Sequence, residues 1–199
     1  MGSEMCIRDS LYIEGVQNNG IINHYEYIIN SEGTIEIRHV LKPEGKMPLW
    51  FPRIGLTLTV SDALDQVKWY GRGPQENYPD RKTGYPMGIY ASTVQAMYEP
   101  YLMPQDYGLR TDVRWLQLTT DKGIGLQFKM NEWFNFNIYP YSTDNLTKAM
   151  YTYQLQKQKG MTLNLDYATT GVGCTARGVF GAYKAMPQEY RRTISIKPM

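Results

Sequence analysis

The sequence predicts an all-β chain folded as an antiparallel two-layer sandwich, and three observations carry that expectation. Apolar and polar residues alternate with period two in short runs. Gly, Pro, Asn and Asp gather between the runs, and only one short segment has a helical pattern. The aromatic residues are 17 Tyr and 4 Trp against 5 Phe. That balance suits pleated surfaces, where a flat apolar face carries a polar edge, and it equally suits stacking on sugars.

The elements follow in order. Ile21–Ile29 is rich in β-branched and aromatic residues, Asn30-Ser31-Glu32-Gly33 reads as a turn, and Thr34–Leu41 alternates cleanly, so the pair predicts a hairpin. Pro43 and Gly45 break the chain before strands at Arg53–Val60 and Asp65–Tyr70. Gly71 to Pro104 is an irregular Gly/Pro-rich stretch far beyond usual loop length, and such loops are generally functional or interface-forming. Strands return at Val113–Thr119, Ile124–Met130 and Trp133–Tyr139. A short helix is expected over Ser142–Ala149, with Ser142 or Thr143 as its cap. Tyr151–Gln156, Met161–Asp166 and Arg192–Lys197 complete about ten strands. No repeat or linker composition divides the chain. Residues 11–199 read as one domain, and residues 1–10, which lack strand alternation, read as a vector- or read-derived tail.

Composition excludes several classes. The 199 residues are 42% hydrophobic and 20% charged, with a net charge of +2 and no basic block. Neither nucleic acid nor a membrane surface is an expected partner. No apolar run approaches the length of a membrane-spanning helix. Two cysteines, Cys6 and Cys174, are too few for a disulfide framework and lack metal-ligand spacing. No metal or other cofactor is expected.

A specific signature begins at Trp69. Trp69-Tyr70-Gly71-Arg72-Gly73-Pro74-Gln75-Glu76-Asn77-Tyr78-Pro79-Asp80-Arg81 resembles the most recognisable segment of the C-terminal domain of glycoside hydrolase family 2 β-galactosidases, the β-galactosidase small chain. Met97–Tyr101 and Met103–Trp115 resemble that family's next block. Phe136-Asn137 with Tyr139-Pro140-Tyr141-Ser142 and Leu146, then Leu163–Tyr167 and Gly171-Val172-Gly173, resemble the closing blocks. The resemblance runs from about Pro52 to the C-terminus, roughly three quarters of the chain.

The resemblance implies a two-sheet antiparallel super-sandwich of the galactose-mutarotase-like type, packed beside a catalytic barrel and walling one side of its sugar site. It also implies a domain longer at its N-terminal side, so this chain is expected to begin partway through the sandwich, where exposed edges favour self-association. Many members of the family follow the Gly-x-Gly turn with a Trp that stacks on sugar. Here Cys174-Thr175-Ala176-Arg177-Gly178-Val179 follows, with no Trp, so Arg177 or a Tyr from another loop takes that place, or a different aglycone is bound.

The site-shaping candidates are Arg72, Glu76, Asn77, Asp80, Arg81, Arg110, Asp112 and Arg177. Asn and Asp bond nearby backbone and Arg forks onto carboxylates, so loop stiffening competes with sugar contact at each of them. Arg110, Asp112 and Arg114, alternating into a strand, are expected on one face as an ion-pair ladder. Retaining glycoside hydrolysis needs two carboxyls ~5 Å apart. In the resembled enzymes both are barrel glutamates, and Glu76 with Asp80 in an irregular loop makes a poor substitute. A mutarotase needs a general acid and base, usually His and Glu, yet His24 and His39 both fall in the first hairpin. The expectation is an accessory domain that is inactive alone, with a galactoside and the parent's catalytic domain as partners. A free-standing carbohydrate-binding module and a purely structural or oligomerisation domain are the alternatives.

Overall fold

The computed structural model describes residues 5–15, 19–174 and 178–199. Ten strands run β1 (Met5–Glu14), β2 (Gly20–Ile29), β3 (Ile35–Glu44), β4 (Arg53–Val60), β5 (Gln66–Arg72), β6 (Met87–Thr93), β7 (Arg110–Thr119), β8 (Gly125–Tyr139), β9 (Met161–Thr169) and β10 (Tyr190–Pro198). Every pairing is antiparallel. The order across the sheet is β1-β2-β3-β10-β8-β7-β5-β6, with β9 and β4 branching off β8.

The fork lies within β8. Leu126–Met130 pairs with β10, whereas Asn135–Tyr139 pairs with β9. A strand that serves two neighbours in succession turns one sheet into two layers. The layers meet where the Tyr167 hydroxyl of β9 lies 2.7 Å from His39 Nδ1 on β3. Trp69, Leu116, Phe128, Phe134, Phe136, Leu163, Leu165 and Ile194, drawn from both branches, join one buried core.

The structure differs from the sequence expectation at four elements. Ile124–Met130 and Trp133–Tyr139 are one strand, because the bulge between them, opposite Val113–Trp115, bends β8 without ending it. The long Gly/Pro-rich stretch contains β6, which has an edge to join on β5. Tyr151–Gln156 holds a 3₁₀ turn at Thr152–Gln154 in place of a strand, and the Asn145 side chain takes up its backbone groups, accepting from Gln156 N–H at 2.8 Å and donating to Gln154 O at 3.2 Å. β1 takes in Met5–Ser10, every side chain of it exposed, so it is a strand by backbone pairing to β2 rather than by burial. The helix α1 (Thr143–Lys148) forms as expected, with the Ser142 side chain accepting from Asn145 N–H at 3.1 Å.

His39 shows what the layer contact demands. It is 1% exposed, stacks on Tyr25 with ring centroids 4.2 Å apart, and lies 3.0 Å from Asn23 Oδ1 through Nε2. An amide oxygen only accepts, so Nε2 carries the proton and Nδ1 accepts from Tyr167 O–H. Burial lowers the His39 pKa to about 4. The folded state therefore holds a neutral ring while the unfolded chain takes up a proton near pH 6.5. Stability from this group is complete above that pH and is lost as pH falls towards 4, by about 2–3 kcal/mol at pH 4.5. Denaturant midpoints at pH 7.5 and 4.5 should show this acid loss in the wild type and a smaller one in His39→Gln. Equal losses in both proteins would rule the group out.

Candidate functional site

The site is built on the outer face of β8, β9 and β4. Along β8 and β9 every second residue is apolar and enters the core: Phe134, Phe136 and Ile138, then Leu163, Leu165 and Tyr167. The residues between them are Asn135, Asn137 and Tyr139 on β8, opposite Asp166, Asn164 and Thr162 on β9. Asn and Asp are poor strand formers, and here they form a connected polar layer. Asn164 donates through Nδ2 to Asn137 Oδ1 at 2.8 Å and accepts through Oδ1 from the Thr57 hydroxyl at 2.7 Å. Gly55 faces Asp166 across a bulge, and a Cβ there would lie 2.3 Å from Leu165 O, so β4 approaches closely only because this residue has none.

Arg53, at the start of β4, closes the layer. Its Nη2 donates to Asp166 Oδ2 at 2.6 Å and to Asn137 Oδ1 at 3.2 Å, and its Nη1 reaches Asp106 at 3.4 Å. Burial alone would lower the Arg53 pKa, but Asp166 and Asp106 outweigh it and hold the guanidinium above its ordinary value. Asp166 is 2% exposed, and burial pushes its carboxyl up to about 6 against the pull of Arg53.

Above this floor opens a cleft of about 650 Å³. Arg53, Tyr78, Arg81, Tyr101, Asp106 and Tyr139 supply its principal polar groups. Burial, with Asp106 nearby, raises Tyr139 to about 12, and burial together with the hydrogen bond to Glu76 does the same at Tyr101. Both hydroxyls are therefore neutral at physiological pH, and each is held by the scaffold: Tyr101 donates to Glu76, and Tyr139 accepts from Asn164 Nδ2 at 3.1 Å.

Of the candidates from sequence, Arg81 lines this cleft. It bonds Glu76 at 2.9 Å and stacks over Tyr78 at 5.2 Å. Glu76 sits behind it and accepts from Gly108 N–H at 2.9 Å, from Tyr78, and through a short hydrogen bond from Tyr101. Asn77, fully buried, ties its loop to Thr111 N–H at 3.0 Å and to Leu109 O at 2.8 Å. Asp80 caps the Gly-x-Gly turn, accepting from Val172 N–H at 3.1 Å and Gly173 N–H at 2.7 Å. Arg72 meets Asp112 at 2.6 Å and the carbonyls of Lys82 and Tyr85. Arg177 lies outside the described residues.

The expected ladder of Arg110, Asp112 and Arg114 does not form. Bulges between Arg110, Val113 and Trp115 break the alternation, and Asp112 has a left-handed φ of 55°. Arg110 turns inward, 3% exposed, bonded to Pro74 O and Gly108 O and lying 5.5 Å over Trp69; burial lowers it to about 10. Asp112 turns to Arg72 and Lys82. Burial opposes its charge, but the hydrogen bonds from these two cations outweigh it and hold the carboxyl below its ordinary value. Arg114 stacks 3.3 Å over Trp133.

Sequence reasoning quoted Asn137, Asn164, Asp166 and Tyr139 only as parts of longer blocks and passed over Arg53. The signal that could have found them is Asn or Asp at alternate positions of otherwise apolar strands. His24 and His39 are not among the residues lining the cleft.

This architecture and its polar-floored cleft define a galactose-mutarotase-like super-sandwich. The crystal structure of a GalM/aldose epimerase homologue from C. elegans superposes on all of this chain and 68% of its own, with a TM-score of 0.51 and 11% identity, a likeness of fold alone. Residues 7–196 match the family model of the beta galactosidase small chain, and the chain belongs to that family. Three bacterial β-galactosidases illustrate the relationship. That of Priestia megaterium is 36% identical over 162 residues, covering 81% of this chain and 16% of that protein. That of Vibrio cholerae is 39% identical over 122 residues, 61% and 11%, and that of Photobacterium profundum 30% over 188 residues, 91% and 18%. The chain thus spans less than a fifth of the length of these relatives.

Proposed function

We propose that this chain is the accessory domain of a β-galactosidase, that its cleft side faces the parent's catalytic domain and shapes the galactoside site, and that it cleaves no sugar alone. The observation that carries the reading is the placement of the carboxylates. Among the described residues lining the cleft, Asp106 is the only acid, whereas retaining hydrolysis needs two carboxyls ~5 Å apart. Nearby acids are already committed: Asp166 to Arg53, Glu76 to Arg81 and Tyr101, and Asp80 to backbone N–H groups. Arg81 and the loops fixed by Arg72, Glu76, Asn77, Asp80, Arg110 and Asp112 supply a rigid wall. Tyr78, Tyr101 and Tyr139 supply aromatic faces with hydroxyl edges, the recognition chemistry of sugars. A cleft that binds but lacks a catalytic pair is suited to completing a site whose reacting groups come from elsewhere.

The test uses a chromogenic galactoside and two proteins. The purified chain alone should give no turnover. Deleting the matched segment from the Priestia megaterium enzyme should abolish its turnover, and replacing that segment with this chain should restore part of it. Turnover by the isolated chain, or full activity of the deleted enzyme, would overturn the proposal.

A further inference from the structure

A second, smaller pocket lies behind the cleft. It has a volume of about 160 Å³, and Gln95, Tyr98, Tyr107, Tyr141, Thr152 and Lys157 supply its polar groups. Tyr139, which lines the cleft, packs its ring on Tyr107 with centroids 5.4 Å apart, so this aromatic pair lies between the two spaces. Tyr98 meets Tyr107 edge-on at 5.3 Å.

The Tyr107 hydroxyl is buried and has no hydrogen-bond partner among the described residues, and the residue is 2% exposed. Burying a hydroxyl unpaired is unfavourable, and native proteins rarely leave one so without a reason. Burial raises the Tyr107 pKa, and the phenols of Tyr141 and Tyr98, which line the same pocket, add to it next. Tyr98, Tyr107 and Tyr141 thus bring three phenols to the lining of one pocket.

We infer that this pocket is a binding site for a small polyhydroxylated molecule, one sugar ring or a polyol of similar size, with the Tyr107 hydroxyl as its deepest contact. Size argues for this class, since the pocket is smaller than the ~300–1,000 Å³ of drug-sized ligand sites. Chemistry argues for it too. Neutral phenols can donate to one ligand hydroxyl and accept from another while their rings cover its C–H faces. An anion is a poorer fit, because the cation among the described lining residues, Lys157, is exposed, whereas Tyr107 is buried. Binding here does not depend on the role proposed for the larger cleft.

The experiment is a heteronuclear NMR titration of the chain with galactose, glycerol and inorganic phosphate as probes. Galactose or glycerol at high millimolar concentration should shift the amides of Val94, Tyr98 and Tyr141. Tyr107→Phe should weaken that response about tenfold, the loss of one hydrogen bond. Its melting temperature should stay equal or rise, since the group removed has no protein partner. Arg81→Ala, in the cleft, should leave the response unchanged. No shift with any probe, equal affinity in Tyr107→Phe, or phosphate binding more tightly than either polyol would overturn the assignment. A response abolished by Arg81→Ala and not by Tyr107→Phe would also overturn it, placing the sugar in the cleft and leaving the proposed function standing.

Discussion

Arg53→Met is expected to lower the unfolding free energy by about 3–5 kcal/mol, the usual consequence of removing one partner of a buried ion pair. The loss is large because Asp166 stays behind. It is 2% exposed and would keep only the Thr169 hydroxyl, at 3.3 Å, from its present side-chain donors. Asn137 and Asp106 would lose a donor as well. With its carboxyl already near pH 6 in the presence of Arg53, Asp166 in the variant would take up a proton close to neutrality. The destabilisation should therefore grow as pH rises from 5 to 8. In the wild type, the raised Asp166 favours the folded state at lower pH, opposite in slope to His39, so single-site variants are needed to separate the two. Denaturant titration of Arg53→Met, Asp166→Leu and the double variant forms the decisive cycle. The double variant should lose much less stability than the sum of the two single losses. A loss below about 1 kcal/mol for Arg53→Met would mean that the pair behaves as a solvated surface bridge.

Trp69→Ala is the second large effect, also expected at about 3–5 kcal/mol as a large-to-small core change. The ring is fully buried, edge-on to Phe136 at 5.9 Å and tilted against Tyr90 at 5.5 Å, so its removal empties the centre of the core. It is also the anchor of the loop that follows it. Its Nε1–H donates to Arg72 O at 3.0 Å, its face carries the buried Arg110 cation, and a Cβ on Gly73 would lie 3.0 Å from its Cζ2. Without the ring, Arg110 would keep only carbonyl partners, and the Gly71–Arg81 segment would lose its seat. Trp69→Phe should recover most of the buried area and leave the Arg72 carbonyl unpaired, for a loss nearer 1–2 kcal/mol. Hydrogen exchange should report faster opening at Asn77 N–H and Thr111 N–H in the alanine variant. Unchanged exchange there would separate the core from the loop.

The polar floor could have been read from residue order, and the cleft above it could not. Phe134-Asn135-Phe136-Asn137 and Leu163-Asn164-Leu165-Asp166 each place a poor strand former at every second position, which marks a face that must be hydrogen-bonded rather than packed. Arg53 has no such mark; it matters because β4 pairs with β9 in a register that sets it beside Asp166. The loop candidates were legible as a cluster because Pro, Gly, Asn and Asp in close succession declare a stiffened turn. Their separate duties were not legible. Arg110 and Asp112, two residues apart in a supposed strand, diverge because the β7–β8 register shifts twice, and a bulge leaves no trace in period-two counting.

Strand identity and its in–out alternation are properties of neighbouring residues, so the all-β class, the first hairpin, the short helix near Ser142–Ala149 and the signature from Trp69 to Arg81 were settled by the chain's order alone. Which edges pair is a property of residues far apart. The long-range pairing forked the sheet at β8, made a strand of Met87–Thr93 and a turn of Thr152–Gln154, buried His39 against Tyr167, and brought Arg53 to Asp166. Side chains with the same local pattern are placed in core, floor or solvent by the partner strand they meet, and only the folded chain supplies that partner.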